Sequence, residues 1–259
     1  MTTNNTVPPS EDRVAIVTGT TAGVGNAVAR QLLSRRWSVI GIARRPSPIS
    51  HERYHHIACD LATVAVDETD LARQLAAVRR SLDGRRVGLV NNAAAPEGLL
   101  PLRRLDPRLV ARVYAVNVIA PIWLMGYVER ASPPDAELRI VNVSSGAAAA
   151  GFPGLAAYGS SKAALRLAGM SLAREWDATP ADSTARRDAA ILSYEPGVVD
   201  TDMQRYARSR SPDEFPWVQM FLDFAARGVA VPPDRPAADI VAFLESSAPP
   251  PFAEQRLRA

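Results

Sequence analysis

Six segments of this chain read as strands: 13–19 (RVAIVTG), 38–44 (SVIGIAR), 54–60 (YHHIACD), 86–94 (RVGLVNNAA), 138–145 (LRIVNVSS) and 188–197 (DAAILSYEPG). They are runs of Val, Ile and Leu rather than strict alternations of apolar and polar residues. Such runs belong to strands buried on both faces. Between them lie segments of helical spacing: 24–37, 67–82, 106–131, 156–176 and 234–247. Strands that alternate with helices, and are covered on both faces, predict an α/β fold with a doubly wound parallel sheet. No shift in composition divides the chain, so residues 13–247 are read as one domain. A polar arm (1–12) precedes it. Residues 203–233, where periodicity fades among Pro212, Pro216, Pro232 and Pro233, read as a loop with a short helix. The tail, 248–259, either stays irregular or adds an edge strand.

Composition removes several function classes. A net charge of +3 with scattered arginine pairs gives no basic block, so no nucleic-acid partner is expected. One cysteine, Cys59, allows no internal disulfide. The three histidines, His51, His55 and His56, share one segment that reads as a polar loop before a strand, so no metal site is expected. No run of 18 apolar residues and no leader-like start are seen, so no membrane partner and a cytoplasmic location are expected.

The turn after the first strand is TGTTAGVG, with Gly19, Gly23 and Gly25 spaced Gly-x-x-x-Gly-x-Gly. Glycines let the backbone approach a ligand closely. The helix that follows offers free N–H groups and a positive dipole end to a phosphate. At the end of the second strand stand Arg44 and Arg45, where a carboxylate would bind a ribose 2′-hydroxyl. Guanidinium suits a 2′-phosphate, which favours NADP(H) over NAD(H). The other reading is a pair of solvated surface arginines, as elsewhere in the chain.

Lys162 is the only lysine among 30 basic residues. It lies four residues after Tyr158 in a helical segment, so the two side chains share a face. A free phenol titrates near 10. A neighbouring ammonium favours phenolate and is expected to bring Tyr158 toward working pH. Lysine supplies a compact ion with three donors, which planar guanidinium does not reproduce.

These motifs, with CDL, NNAA, VNVIAP, IVNVSS and PGVVDT in order, resemble the short-chain dehydrogenase/reductase family from Arg13 to about Leu244. The resemblance implies a Rossmann-type sheet of six to seven strands and hydride transfer between a nicotinamide and a carbonyl or alcohol carbon. It implies Tyr158 as general acid, Lys162 as its cationic partner, Ser145 as donor to the substrate oxygen, and Asn117 at a helix kink leading a water to Lys162. It implies cofactor contacts at Gly19, Thr21, Gly23, Val24, Gly25, Arg44, Arg45, Asp60, Leu61, Asn91, Ala93, Pro196, Gly197, Val199 and Thr201, besides Tyr158 and Lys162. Asp60 would meet the adenine amino group, and Asn91 would hold the end of the fourth strand near the adenosine ribose.

Within the family the chain is similar to sepiapterin reductases and to bacterial benzil reductases. That implies a small-molecule carbonyl substrate: a ketone or vicinal diketone, aryl or pterin-borne. Sepiapterin reductases anchor the pterin with an acidic residue near the C-terminus, a region where this chain has Glu254. Residues 203–233, with Met203, Tyr206, Phe215, Trp217, Met220, Phe221 and Phe224, either lid the substrate or simply pack a helical excursion. A homodimer or homotetramer through the helices of Asn117 and Tyr158 is implied. Two other functions remain: an NAD(P)-linked alcohol dehydrogenase working oxidatively, and a non-catalytic NADP-sensing protein. Arg44 argues against the NAD-linked form, and the intact Ser145, Tyr158 and Lys162 against the sensor.

Overall fold

In the computed structural model, residues 13–78, 85–180, 183 and 187–258 are described. Seven strands form one parallel sheet in the order β3-β2-β1-β4-β5-β6-β7. They are β1 (Arg13–Thr18), β2 (Ser38–Ala43), β3 (Tyr54–Ala58), β4 (Arg86–Asn91), β5 (Glu137–Val143), β6 (Ala189–Glu195) and β7 (Phe252–Arg256). The order reverses between β1 and β4, and such a switch point opens a crevice at the carboxyl ends of the strands. The helices are α1 (Gly23–Ser34), α2 (Thr69–Ala77), α3 (Pro107–Tyr114), α4 (Ala120–Ala131), α5 (Ala156–Asp177), α6 (Asp202–Arg208), α7 (Val218–Ala226) and α8 (Asp234–Leu244). The chain is a Rossmann-type α/β protein.

Two apolar layers hold the sheet. One face packs Ile16, Ile40, Leu89 and Ile140 with Leu71, Val113, Leu124 and Leu165 from α2 to α5. The other packs Ala15, Val17, Val90 and Val141 with Val28, Leu32, Ile240 and Leu244 from α1 and α8. Both faces of β1, β2 and β4 are therefore buried, which is why their sequences run apolar without alternation. The stretch Pro107–Ala131 is long and apolar enough to cross a membrane, but half of its most apolar window is buried in this core.

Of the two readings left for the tail the structure takes the edge strand, and three differences from the sequence reading follow from local chemistry. The tail forms β7, paired in parallel with β6 from Ile191↔Phe252 to Glu195↔Arg256. Its residues are mostly exposed, as befits a sheet edge, and so carry little apolar signal. Residues 203–233 hold two helices, α6 and α7, rather than one short one. The 106–131 segment is not one regular helix: Ala115–Ile119 makes a π-helical turn between α3 and α4. The helix expected over 67–82 is described as Thr69–Ala77, and residues 79–82 lie outside the described residues.

Candidate active site

The switch point is fastened by Thr18 at the end of β1. Its hydroxyl accepts from the N–H groups of Asn92 and Ala93, each at 3.0 Å, and Asn92 Nδ2 returns a bond to the Thr18 carbonyl at 2.9 Å. Gly19 follows at φ 76°, a left-handed conformation that suits glycine. A Cβ on Gly25 would lie 2.4 Å from the Gly19 carbonyl oxygen. Gly25 thus lets α1 close against the turn, so that the first N–H groups of α1 face the crevice. Above this turn a cleft of about 540 Å³ runs from Arg44 and Asp60 to Met220 and Phe224.

Most of the expected site residues line this cleft. Gly19, Thr21, Gly23 and Val24 form its glycine-turn wall, with Asp60, Leu61 and Ala93 beside them. Arg44 and Arg45 stand at one end, and Pro196, Gly197, Val199 and Thr201 bound the far side. Arg44 makes no hydrogen bond or ion pair with the described residues, whereas Arg45 lies 3.9 Å from Asp202 and 3.5 Å from the Thr21 hydroxyl. Asp60 accepts from the Ala62 N–H at 3.1 Å and pairs with Arg112 at 3.2 Å. Burial alone would raise its carboxyl, but Ala62, Arg112 and the nearby Arg44 outweigh that and hold it below the usual value.

Three expected residues lie elsewhere. Asn91 does not line the cleft: its side chain turns into the sheet and donates to Asn142 Oδ1 at 2.9 Å. The alternation of side chains along a strand sends it inward, and Asn92, one residue on, faces the cleft instead. Gly25 is covered by the turn it supports. Asn117 is buried in the π-helical turn and bonds neither Tyr158 nor Lys162. Its Oδ1 accepts from the Ala95 N–H at 2.8 Å, and its Nδ2 donates to the Ser161 hydroxyl at 3.0 Å. That hydroxyl donates to the Tyr158 carbonyl at 2.6 Å. Asn117 thus ties the π-helical turn to the Tyr158 turn through Ser161.

Ser145, Tyr158 and Lys162 converge on the cleft floor. Ser145 caps a short 3₁₀ turn, Gly146–Ala148, accepting from the Ala147 N–H at 3.2 Å. This turn lies against the start of α5, where a Cβ on Gly159 would come within 2.8 Å of the Ala147 carbonyl oxygen. Gly159 is the residue that lets Ser145 approach Tyr158, and it carries no signature of its own in the sequence. Lys162 is 2% exposed and its Nζ donates to the Val143 carbonyl at 2.7 Å. Burial pushes its ammonium down to about 8.

The phenol departs from expectation. Burial pushes Tyr158 up to about 12, opposed by a hydrogen bond from Ser145. Lys162 Nζ lies 5.7 Å from the centre of the Tyr158 ring, and one of its three protons is directed at the Val143 carbonyl. Desolvation therefore outweighs the Ser145 hydrogen bond. The ammonium acts on the phenolate, the form that carries the charge it can attract.

The region 203–233 both lines the cleft and packs as a helical excursion. Met203, Met220, Phe221 and Phe224 line the cleft, while Phe215 is fully buried and packs edge-on against Phe221 at 5.2 Å. Tyr206 and Trp217 join Phe152 and Leu155 in the same small cluster, with Tyr158 at its border. Glu97, Glu195 and Arg256 also line the cleft and were not anticipated. Arg256 reaches it only because the tail forms β7.

A family model described as short chain dehydrogenase matches residues 13–212. The chain belongs to that family. The benzil reductase ((S)-benzoin forming) of Bacillus subtilis (strain 168) is 28% identical over 237 residues, 89% of this chain and 92% of the relative. The Bacillus cereus protein of the same name is 26% identical over 244 residues, 90% and 94% of the two chains. Among solved structures, the KRED1-Pglu enzyme is 27% identical, with a TM-score of 0.77 over 93% of this chain and all of that one. This short-chain dehydrogenase is thus an oxidoreductase by family, close to benzil reductases in sequence.

Proposed function

We propose that the protein is an NADPH-dependent carbonyl reductase acting on a ketone or vicinal diketone. One observation carries the reading: Ser145, Tyr158 and Lys162 meet in a single cleft, between a glycine turn and a wall of Met and Phe. The turn fits a dinucleotide phosphate, since Gly19 and Gly23 line the cleft at the start of α1. The unpaired Arg44 guanidinium at the end of β2 supports NADP(H) over NAD(H). When bound, the reduced nicotinamide supplies the hydride that the carbonyl carbon takes up. Tyr158 gives its proton to the carbonyl oxygen as negative charge develops there. Ser145 donates a hydrogen bond to the same oxygen. Lys162 stabilises the phenolate left behind until solvent returns a proton.

A phenol pushed up to about 12 keeps its proton at neutral pH. The relatives named benzil reductase support an aryl diketone. A pterin fits less well, because Glu254 is bound to Arg166 at 2.5 Å and 2.8 Å and does not line the cleft. A cytoplasmic location belongs to the same proposal, as does a dimer or tetramer through α4 and α5, where Ile122 and Leu167 are exposed. The test follows loss of reduced-nicotinamide absorbance with benzil and simple ketones. NADPH-dependent turnover, faster than with NADH, is expected. Tight NADPH binding with no turnover on any carbonyl would leave only the sensor.

A further inference from the structure

Glu97 stands in the loop between β4 and α3, with its carboxylate in the cleft wall. The next residue, Gly98, sits on the first turn of α5: a Cβ there would meet Ala157 at 3.1 Å and the Tyr158 backbone nitrogen at 3.9 Å. Glu97 is therefore one residue from a backbone that touches the Tyr158 turn. It shares the cleft with Phe152, Leu155 and Phe221. One of its carboxylate oxygens, Oε2, is closed off from solvent and has no hydrogen-bond partner among the described residues. At this end Glu195 pairs with Arg256 at 3.2 Å, and the Lys162 ammonium stands on the cleft floor beside Tyr158. At the far end Asp60 is paired with Arg112.

An enclosed carboxylate oxygen without a donor is costly, and buried polar groups are almost always satisfied. The terminal torsion of a glutamate is broad and two-fold, so a half-turn exchanges its oxygens and offers either to the cleft. We propose that Glu97 is a specificity-determining residue that accepts a hydrogen bond from the substrate. The substrate class is then a ketone that also carries a donor or cation, a hydroxyl or ammonium group, with its apolar part on the aromatic wall. This rests on the carbonyl-reductase reading. Anionic ketones are disfavoured at the same point by like-charge repulsion.

The test uses the full-length protein with NADPH and one aryl ketone in aminomethyl, methyl and carboxy forms. Values of kcat/KM are measured for wild type, Glu97→Gln and Glu97→Lys, with NADPH titration showing that each variant is folded. The wild type is expected to favour the aminomethyl over the carboxy form by about 100-fold or more, because a site built to pair a polar group rejects analogues lacking it. Glu97→Gln should shrink that ratio by about 10-fold, and Glu97→Lys should reverse it. If the lysine variant does not fold, Glu97→Ala repeats the loss of preference. Turnover of all three ketones with a ratio that stays constant across variants would overturn this proposal alone. No turnover of any ketone would sink the carbonyl-reductase reading, and this one with it.

Discussion

Replacing Lys162 with methionine should make the protein more stable while disabling it. Lys162 is 2% exposed, and burial displaces its ammonium from 10.5 to about 8. That displacement corresponds to about 3 kcal/mol of destabilisation when the charged form is folded. At about pH 7, below both values, folded and unfolded chains both carry the proton, so the folded state bears the whole penalty. Methionine fills similar volume without a charge, but it leaves the Val143 carbonyl without its 2.7 Å donor, a loss of about 1 kcal/mol. The net gain is about 2 kcal/mol. For 259 residues this raises the unfolding midpoint by about 4 °C, taking about 2.1 cal/mol/K of unfolding entropy per residue. As pH rises from about 8 to 10.5, the folded wild type sheds its proton before the unfolded chain does. The penalty fades, and the variant's advantage should fall to zero and turn slightly negative. Thermal and urea unfolding of both proteins across this range measure the difference, and assays at about pH 7 should show carbonyl reduction falling by about 100-fold or more. A variant that is less stable at neutral pH, or an advantage indifferent to pH, would refute the reasoning.

The remaining expectations are shorter. Tyr158→Phe should lower kcat/KM for carbonyl reduction by about 10²- to 10⁴-fold while NADPH binding stays measurable by fluorescence; near-normal turnover would remove the phenol from the chemistry. In the wild type, reduction should be level below about pH 8 and decline above it as Lys162 loses its charge, since its displaced value is about 8. A rate that rises through that region would contradict the assigned role. Arg44→Asp should raise the KM for NADPH by at least about 10-fold, and that for NADH far less, because it sets a carboxylate where a 2′-phosphate is proposed to lie. Gly159→Ala forces a Cβ to within 2.8 Å of the Ala147 carbonyl oxygen, and should cost about 1–3 kcal/mol of stability. Its kcat should fall more than its KM rises, because Ser145 is pushed from Tyr158.

How far the sequence reaches depends on whether a signal is local. The apolar runs at 13–19 and 86–94 declare buried strands because both faces of β1 and β4 are covered, a property written into each residue. The pairing of Tyr158 with Lys162 is equally local, set by one helical turn. The edge strand β7 is not, since an exposed strand needs no apolar pattern and is made by pairing with β6. Glu97 was missed because nothing in APEG marks it; its place depends on Gly98 resting on α5. Asn91 and Asn92 are adjacent and chemically identical, so their roles are divided only by the strand's end, where one side chain enters the sheet and the next enters the cleft. The height of the Tyr158 phenol was also out of reach, because burial depends on the lid cluster around Phe152 and Leu155.

The lone lysine follows from the same burial. The floor of the cleft offers the cation at 162 one hydrogen-bond acceptor of its own, the Val143 carbonyl. An ammonium there has three donors, so two remain for ligands at the cleft. A guanidinium would bring five donors in a rigid fork to the same enclosed place, and more of them than the site can satisfy. It would also be unable to relieve its burial by giving up a proton, since it stays charged at any working pH. Lysine is the cation that can be driven down to about 8 and still be charged at neutrality. Arginine serves where Arg44 and Arg45 stand, in solvent, with no such limit on donors.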